Sequence, residues 1–148
     1  KLEGGKKIYE IIKTLVKNNI PVMGHLGLLP QSAKNFKFKG KQNYEREKIL
    51  KEAKLLETAG VFSMVLECIE SSLAKNITKT IKIPTIGIGA SNNCDGQILV
   101  FDDVIGLNPI NVRFVKKYTN IRKDISKAVL NYARDVRSMK FPLKKHSY

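Results

Sequence analysis

The chain has 148 residues, of which 43% are hydrophobic, which suits one folded domain and excludes a disordered chain. Its apolar runs fall short of the roughly 18–20 residues that cross a membrane, and its two cysteines are too few for a disulfide framework, so the cytoplasm is the expected location. The net charge of +14 comes mostly from scattered lysines, and frequent Lys, Ile and Asn favour compositional drift over a nucleic-acid surface.

Helices and strands alternate from the start of the chain. Residues 6–18 place apolar side chains at i, i+3, i+4 and i+7, which predicts a helix with one buried face. A short apolar strand follows near 20–25, and a polar loop at 29–43 is of the kind that often carries function. Residues 44–59 predict a second helix, which Gly60 ends as a C-terminal cap.

The alternation continues with the apolar stretch 61–67, which predicts a buried strand. A helix is predicted at about 71–80, with Ser71 or Ser72 as its N-cap. The segment 83–88 then predicts another strand.

The last part of the chain predicts one further strand at 98–101 and a long helix at 119–137. Repeated strand–helix units with continuously apolar strands indicate a parallel sheet that is covered on both faces. Such a sheet is either doubly wound or part of a (β/α)8 barrel, and a full barrel needs roughly 200–250 residues. The apolar face of the last helix comprises Ile121, Ile125, Ala128, Val129, Tyr132 and Val136.

Polar side chains stand where the apolar strands end, and ligands of parallel α/β folds bind at the carboxyl ends of the strands. Lys1 and Glu3 precede a glycine pair, His25 ends the second apolar segment, and Glu67 ends VFSMVLE. The sequence therefore predicts a cation, carboxylates and an imidazole at one edge of the sheet. Further polar groups follow the last two predicted strands: Ser91, Asn92, Asn93, Asp102 and Asp103.

Each of these residues also has a purely structural interpretation. Lys1 is consistent with a frayed terminus, Glu3 with a carboxylate at a helix start, and His25 with a hydrogen-bonded, half-buried histidine. Glu67 is harder to explain structurally, because a carboxylate on a buried strand is costly unless it is paired or protonated. Burial should raise its pKa, which suits a general base that works near neutral pH.

Four segments together resemble the ketopantoate hydroxymethyltransferase family: KLEGG (1–5), GHLGLLPQS (24–32), VLECIE (65–70) and IPTIGIGASNNCDGQILVFDDVIGL (83–107). They occur in the family's order, and the pair HLGL-x-PQS and GIGA-x4-DGQ is highly specific. The resemblance implies a (β/α)8 TIM barrel of the phosphoenolpyruvate mutase-like type. Residues 1–148 would form its C-terminal half or more, as a single partial-barrel domain with C-terminal helices and without the N-terminal strands.

The resemblance also implies an activity, the transfer of a hydroxymethyl group from 5,10-methylenetetrahydrofolate to 3-methyl-2-oxobutanoate, giving 2-dehydropantoate for pantothenate biosynthesis. Mg²⁺ would hold the oxo acid and stabilise its enolate. By match to the family motifs, Glu67 is expected to be the proton acceptor, Lys1 to bind substrate, Glu3 to belong to the magnesium site and His25 to line the pocket. Two magnesium-binding aspartates are expected upstream, so the 148 residues alone are expected to be inactive.

The chain departs from the family pattern in the loop NFKFKGKQN (35–43), where paired glycines are usual, and at Ser91, where the family has glycine. By resemblance we expect a homo-oligomer, typically a decamer in the family, with small-molecule substrates and neither a nucleic-acid nor a membrane partner. Two alternatives stay open: a basic nucleic-acid-binding α/β module and a non-catalytic half-barrel fragment.

Overall fold

The computed structural model describes residues 1–33 and 37–148. Residues 34–36, which belong to the predicted loop at 29–43, lie outside the described residues. The chain divides into two compact units, Lys1–Ile98 and Leu99–Tyr148. The expectation of a single domain over 1–148 therefore stays a prediction.

The first unit contains a five-stranded sheet in which every neighbouring pair is parallel. The strands lie in the sheet in the same order as in the chain. The predicted α/β fold with a parallel sheet is thereby confirmed. The strands are β1 (Leu2–Glu3), β2 (Met23–Gly27), β3 (Ser63–Glu67), β4 (Thr85–Ile88) and β5 (Gly96–Gln97).

The strands predicted near 20–25, at 61–67 and at 83–88 begin two or three residues later in the structure, and for the last two the backbone shows features that accompany the delay. The N–H of Val61 bonds back to the carbonyl of Leu56 at the end of the preceding helix, and β3 begins two residues later, at Ser63. Pro84 has no N–H to give to a ladder, and β4 starts directly after it.

Three α-helices belong to the first unit: α1 (Tyr9–Lys17), α2 (Asn43–Thr58) and α3 (Ser71–Thr80). The helix predicted at 6–18 is split, because Lys6–Ile8 forms a 3₁₀ turn before α1. The helices predicted at 44–59 and 71–80 are confirmed within one residue at each end.

The ends of α2 and α3 show one correct and one wrong capping prediction. Gly60 follows α2 with a positive φ of 96° and donates its N–H to Glu57, as a C-terminal cap does. The N-cap of α3 is Glu70 rather than Ser71 or Ser72, because the Glu70 carboxylate accepts the free N–H groups of the first turn.

The core of the first unit lies between the sheet and its helices. Among its members, Ile12 is the buried residue of α1, whereas Ile11 is 54% exposed, so the buried face of this helix is narrower than predicted. The fully buried side chains include Leu56 of α2, Met64 and Leu66 of β3, and Leu73 and Ile77 of α3.

The second unit contains α4 (Phe101–Val104) and α5 (Ile121–Arg137). The strand predicted at 98–101 is wrong, because Phe101 already begins α4. Asp102 and Asp103 lie in the first turn of that helix, where its dipole favours carboxylates. None of the described residues of α5 is buried. Among the helices of the described chain, none is long and apolar enough to cross a membrane.

Candidate active site

The carboxyl ends of β1, β2 and β3 lie side by side and bring three predicted site residues together. Glu3 pairs in register with His25, and Gly27 pairs with Glu67. Side chains alternate along a strand, so residues 25 and 27 point to the same face of the sheet. Glu3, His25 and Glu67 therefore share one face, as the strand-end argument predicted.

Gly27 allows β2 and β3 to approach closely beside Glu67. Its φ is +99°, and a Cβ at this position would lie 2.2 Å from the carbonyl oxygen of Glu67. The same carbonyl accepts a hydrogen bond of 2.8 Å from the N–H of Leu28. Only glycine fits this backbone, although the sequence argument did not single it out. The signal for it was its place in HLGL, two residues after the predicted strand end.

Lys1, Glu3, His25 and Glu67 form a connected cluster of polar side chains. The Lys1 Nζ lies 2.8 Å from the His25 Nδ1 and 3.3 Å from the Glu3 Oε1. The other ring nitrogen of His25, Nε2, lies 3.1 Å from the Glu67 Oε2. His25 thus stands between the residue predicted to bind substrate and the residue predicted to accept the proton.

The tautomer of His25 follows from its contact with Lys1. An ammonium group only donates hydrogen bonds, so Nδ1 of His25 is the acceptor and the ring proton is on Nε2. That Nε2 is close to Glu67 but not aligned for a hydrogen bond, and it has no aligned partner among the described residues. A buried N–H without a partner is costly, so an acceptor oxygen aligned with this atom, from Glu67 or from a substrate, would be stabilising.

The surroundings of His25 keep the imidazole neutral. The residue is only 2% exposed. Burial, followed by the charge of Lys1, lowers the pKa of His25 to about 4, and the charge of Glu3 opposes this shift. At neutral pH the ring is therefore a neutral donor rather than a cation.

The surroundings of Glu67 act in the opposite direction on its carboxyl group. Burial is the main cause that raises the pKa of Glu67, and the charge of Glu3 adds to it, while Lys1 opposes it. Its side chain is still 14% exposed, so the carboxylate can be reached from outside. A carboxylate of raised pKa that can be reached from outside has the properties of a general base. The neighbouring Cys68 thiol has a raised pKa, from burial and from Glu67, and stays protonated at neutral pH.

The described residues do not complete a magnesium site. Mg²⁺ prefers an octahedron of oxygen ligands, and no group of three His, Cys, Asp or Glu side chains in residues 1–33 and 37–148 is arranged to hold a metal. Glu3 is the residue that the family motif indicates as a ligand of the metal. Its Oε1 faces Lys1 at 3.3 Å, and its Oε2 accepts a hydrogen bond of 3.2 Å from the N–H of Gln31.

The described end of the predicted loop, residues 37–42, runs beside the strand end that carries Glu67. Lys39 forms a parallel bridge with Ile69, its N–H donates to the carbonyl of Cys68 at 2.7 Å, and its carbonyl accepts from the N–H of Glu70 at 2.8 Å. The loop is therefore paired to the three residues that follow Glu67.

Arg46 of α2 fastens this loop to α3, and we call its contacts the Arg46 clasp. The guanidinium donates to the carbonyl of Gly40 at 3.2 Å, to the carboxylate of Glu70 at 2.5 Å and to the hydroxyl of Ser72 at 2.8 Å. Hydrogen bonds from Ser72 and Arg46 lower the pKa of Glu70 to about 2. Sequence reasoning missed the clasp, since its members are far apart in the chain and belong to no recognised motif.

Comparisons with known proteins match this chain over nearly its whole length. The family model described as ketopantoate hydroxymethyltransferase matches residues 1–144. A protein of Pelagibacter ubique named 3-methyl-2-oxobutanoate hydroxymethyltransferase is 70% identical over all 148 residues. Proteins of the same name from Clostridium botulinum (strain Langeland) and Sulfolobus acidocaldarius are 48% and 46% identical, over 100% and 96% of this chain.

The chain spans only a little over half the length of these curated relatives. It covers 58% of the Pelagibacter protein, 55% of the Clostridium protein and 54% of the Sulfolobus protein. The family model nevertheless accounts for all but the last four residues of the chain, 145–148. On this evidence, the chain belongs to the ketopantoate hydroxymethyltransferase family.

Proposed function

We propose that this chain is part of an enzyme that transfers a hydroxymethyl group to 3-methyl-2-oxobutanoate. The one-carbon unit comes from 5,10-methylenetetrahydrofolate, water supplies the hydroxyl oxygen, and the product is 2-dehydropantoate. The relatives carry the name of this activity. The observation that carries the proposal is Glu67, a carboxylate of raised pKa that faces a neutral imidazole at the end of β3.

In this proposal Glu67 removes the proton from C3 of the oxo acid. Lys1, whose side chain is 41% exposed, has an ammonium group that can pair with the carboxylate of the substrate. The Nε2–H of His25 lies beside Glu67 and limits where its carboxylate can turn. Glu3 holds Lys1 from the other side, at 3.3 Å. The raised pKa of Glu67 makes it a stronger base than an ordinary glutamate once it is ionised.

Mg²⁺ is part of the same proposal for the full-length protein, by which we mean a chain of the relatives' length that contains these 148 residues. Glu3 would contribute one oxygen ligand, and the others would come from outside the described residues. When bound, the metal supplies a Lewis acid for the enolate.

A (β/α)8 barrel of the phosphoenolpyruvate mutase-like type is the fold that we propose for the full-length protein. Five parallel strands follow one another in the sheet in chain order. A doubly wound sheet reverses its order at a switch point, and this order is unbroken. The strands that are still needed to close the barrel would come from the part of the full-length protein that lies outside these 148 residues. We propose a cytoplasmic homo-oligomer as its assembled form.

Replacing Glu67 tests the proposed base. In the full-length protein, Glu67→Gln should slow exchange of the C3 proton of 3-methyl-2-oxobutanoate with D₂O by about 100-fold or more, because an amide cannot accept the proton. Proton NMR of the substrate measures this exchange without the folate.

Glu47→Gln serves as the matched control, since the Glu47 side chain is 72% exposed on α2 and its one ion pair in the described part of the chain is with Lys51, at 3.9 Å. Exchange at the wild-type rate is expected for this control. Wild-type exchange in Glu67→Gln as well, in a folded protein, would remove Glu67 from the role of base.

A further inference from the structure

A cavity of about 680 Å³ opens within the second unit. One wall is the turn that follows α4, which includes Gly106 and Asn108, and the other is the first half of α5. Small-molecule sites in proteins commonly measure about 300–1,000 Å³, so this volume suits a compact ligand. The lining residues are Gly106, Asn108, Pro109, Lys117, Asn120, Arg122, Lys123, Ser126, Lys127, Leu130 and Asn131.

The lining of this cavity is strongly basic. It includes Lys117, Arg122, Lys123 and Lys127, and it has no carboxylate. Four of 11 lining residues are cationic, against 27 of 148 in the whole chain, so the cavity is about twice as basic as the composition alone would make it. Among the described residues, none of these four cations forms an ion pair. Clustered like charges repel one another, and a bound anion would relieve that repulsion.

Hydrogen bonds hold the two walls of the cavity in place. The N–H of Tyr118 donates to the carbonyl of Val104 at 2.8 Å, and the N–H of Ile121 donates to that of Ile105 at 3.0 Å. Gly106 is buried with a φ of +69°, and a Cβ there would lie 2.3 Å from the carbonyl oxygen of Thr119. The turn and the start of α5 are therefore tied together around the cavity.

Neutral donors complete the polar lining. The side chains of Ser126 and Asn131 make no hydrogen bond with other described residues, so both are available to a ligand. The Lys117 ammonium donates to the carbonyl of Asn108 at 3.3 Å, which holds this cation at the mouth of the turn. The planar guanidinium of Arg122 can bind a phosphate or carboxylate through two parallel hydrogen bonds.

We propose that this cavity binds a small polyanion that carries two or more phosphate or carboxylate groups. The volume of about 680 Å³ and the absence of a lining carboxylate support a compact anion. Binding of single-stranded nucleic acid uses aromatic platforms for the bases, and none of the lining residues is aromatic. All of the lining residues belong to the unit Leu99–Tyr148, whereas Lys1, Glu3, His25 and Glu67 belong to the unit Lys1–Ile98, so the site does not depend on the proposed transferase activity.

Titration calorimetry of the full-length protein at low salt tests this site, with pyrophosphate and citrate as probes. Arg122→Gln combined with Lys127→Gln should weaken the affinity for the better probe by about tenfold or more, because two direct charge contacts are lost. Comparison of the two affinities shows whether the site prefers the phosphate groups of pyrophosphate or the carboxylate groups of citrate.

The matched control is Lys144→Gln combined with Lys145→Gln, which removes the same charge from a 3₁₀ turn outside the lining. It should keep the wild-type affinity within about twofold. Equal weakening in both double variants would reduce the effect to general electrostatic attraction and overturn the proposal, as would the absence of binding by either probe. Tighter binding of a single-stranded oligonucleotide, weakened equally by both double variants, would assign the charge to a nucleic-acid surface instead.

Discussion

The neutral His25 is the residue on which the arrangement of the three charged site residues, Lys1, Glu3 and Glu67, depends. It touches Lys1 through Nδ1 and Glu67 through Nε2, and it pairs in register with Glu3. A protonated imidazole would repel Lys1 and attract both carboxylates, so the cluster would rearrange. The low pKa of His25 therefore sets which contacts exist at neutral pH.

The protonation state of His25 can be measured directly. Because burial and Lys1 lower its pKa to about 4, the ring should stay neutral, with its proton on Nε2, as the pH falls from 7 to about 5. Nitrogen-15 NMR of labelled imidazole reports both protonation and tautomer. His25→Gln removes the signal and so assigns it, which separates it from His146. A midpoint near the ordinary value of 6.5, or a proton on Nδ1, would contradict the contact with Lys1.

Three elements meet at the Arg46 clasp, which joins α2, the loop end 37–42 and the start of α3. Glu70 takes part twice, because it caps α3 and receives Arg46. The loop end pairs with the residues directly after Glu67. The clasp therefore keeps residues 37–42 against the edge of the candidate site.

Loss of the clasp should loosen the loop. Arg46→Met removes three donated hydrogen bonds, two of them from one guanidinium nitrogen. The clasp is partly exposed, so local opening should become easier by about 1–2 kcal/mol. Trypsin cleavage after Lys39 and Lys41 should then accelerate about tenfold in the full-length protein, as resolved by mass spectrometry.

Arg134→Met is the control for this change, because the Arg134 side chain on α5 is 70% exposed and its one ion pair within residues 1–33 and 37–148 is with Asp135, at 3.5 Å. Cleavage after Lys39 and Lys41 should not change in it. If both arginine variants are cleaved at the wild-type rate, the loop is held by its backbone pairing alone.

The elements also show how far the sequence predicts this structure. Helix α3 begins and ends where its spacing predicts, because local periodicity and propensity determine it. The placement of Glu3, His25 and Glu67 on one face follows from strand order and alternation. The strand predicted at 98–101 was wrong, since a short apolar run fits a strand and a helix equally well. Arg46 and Gly27 were missed because their roles come from contacts with residues 24 to 42 positions away in the chain.

At the scale of the whole molecule, the described chain has unpaired sheet edges and exposed apolar side chains. Among the described strands, β1 pairs only with β2, and β5 pairs only with β4, so the sheet has two edges. Unpaired edges invite association with other chains. In the second unit, Ile125, Val129 and Tyr132 of α5 are 48%, 60% and 59% exposed.

The 148-residue chain by itself should therefore associate. Light scattering after gel filtration at micromolar concentration should give masses above the 16.7 kDa of one chain. Val129→Lys, which places a charge on the apolar face of α5, should lower the associated fraction. Asn111→Lys adds the same charge at an exposed position outside α5 and should leave that fraction unchanged. A single 16.7 kDa species in the unmodified chain would refute this expectation.

The close contact at Gly27 adds a requirement to the site that does not concern a reactive group: position 27 must lack a side chain. A methyl group there would meet the Glu67 carbonyl at 2.2 Å, so the strand that carries the base would have to move while Lys1, Glu3, His25 and Glu67 all kept their chemistry. The position of the base is thus specified by a missing side chain. In a relative that keeps all four of these polar residues but has lost this glycine, the base would stand in a different place.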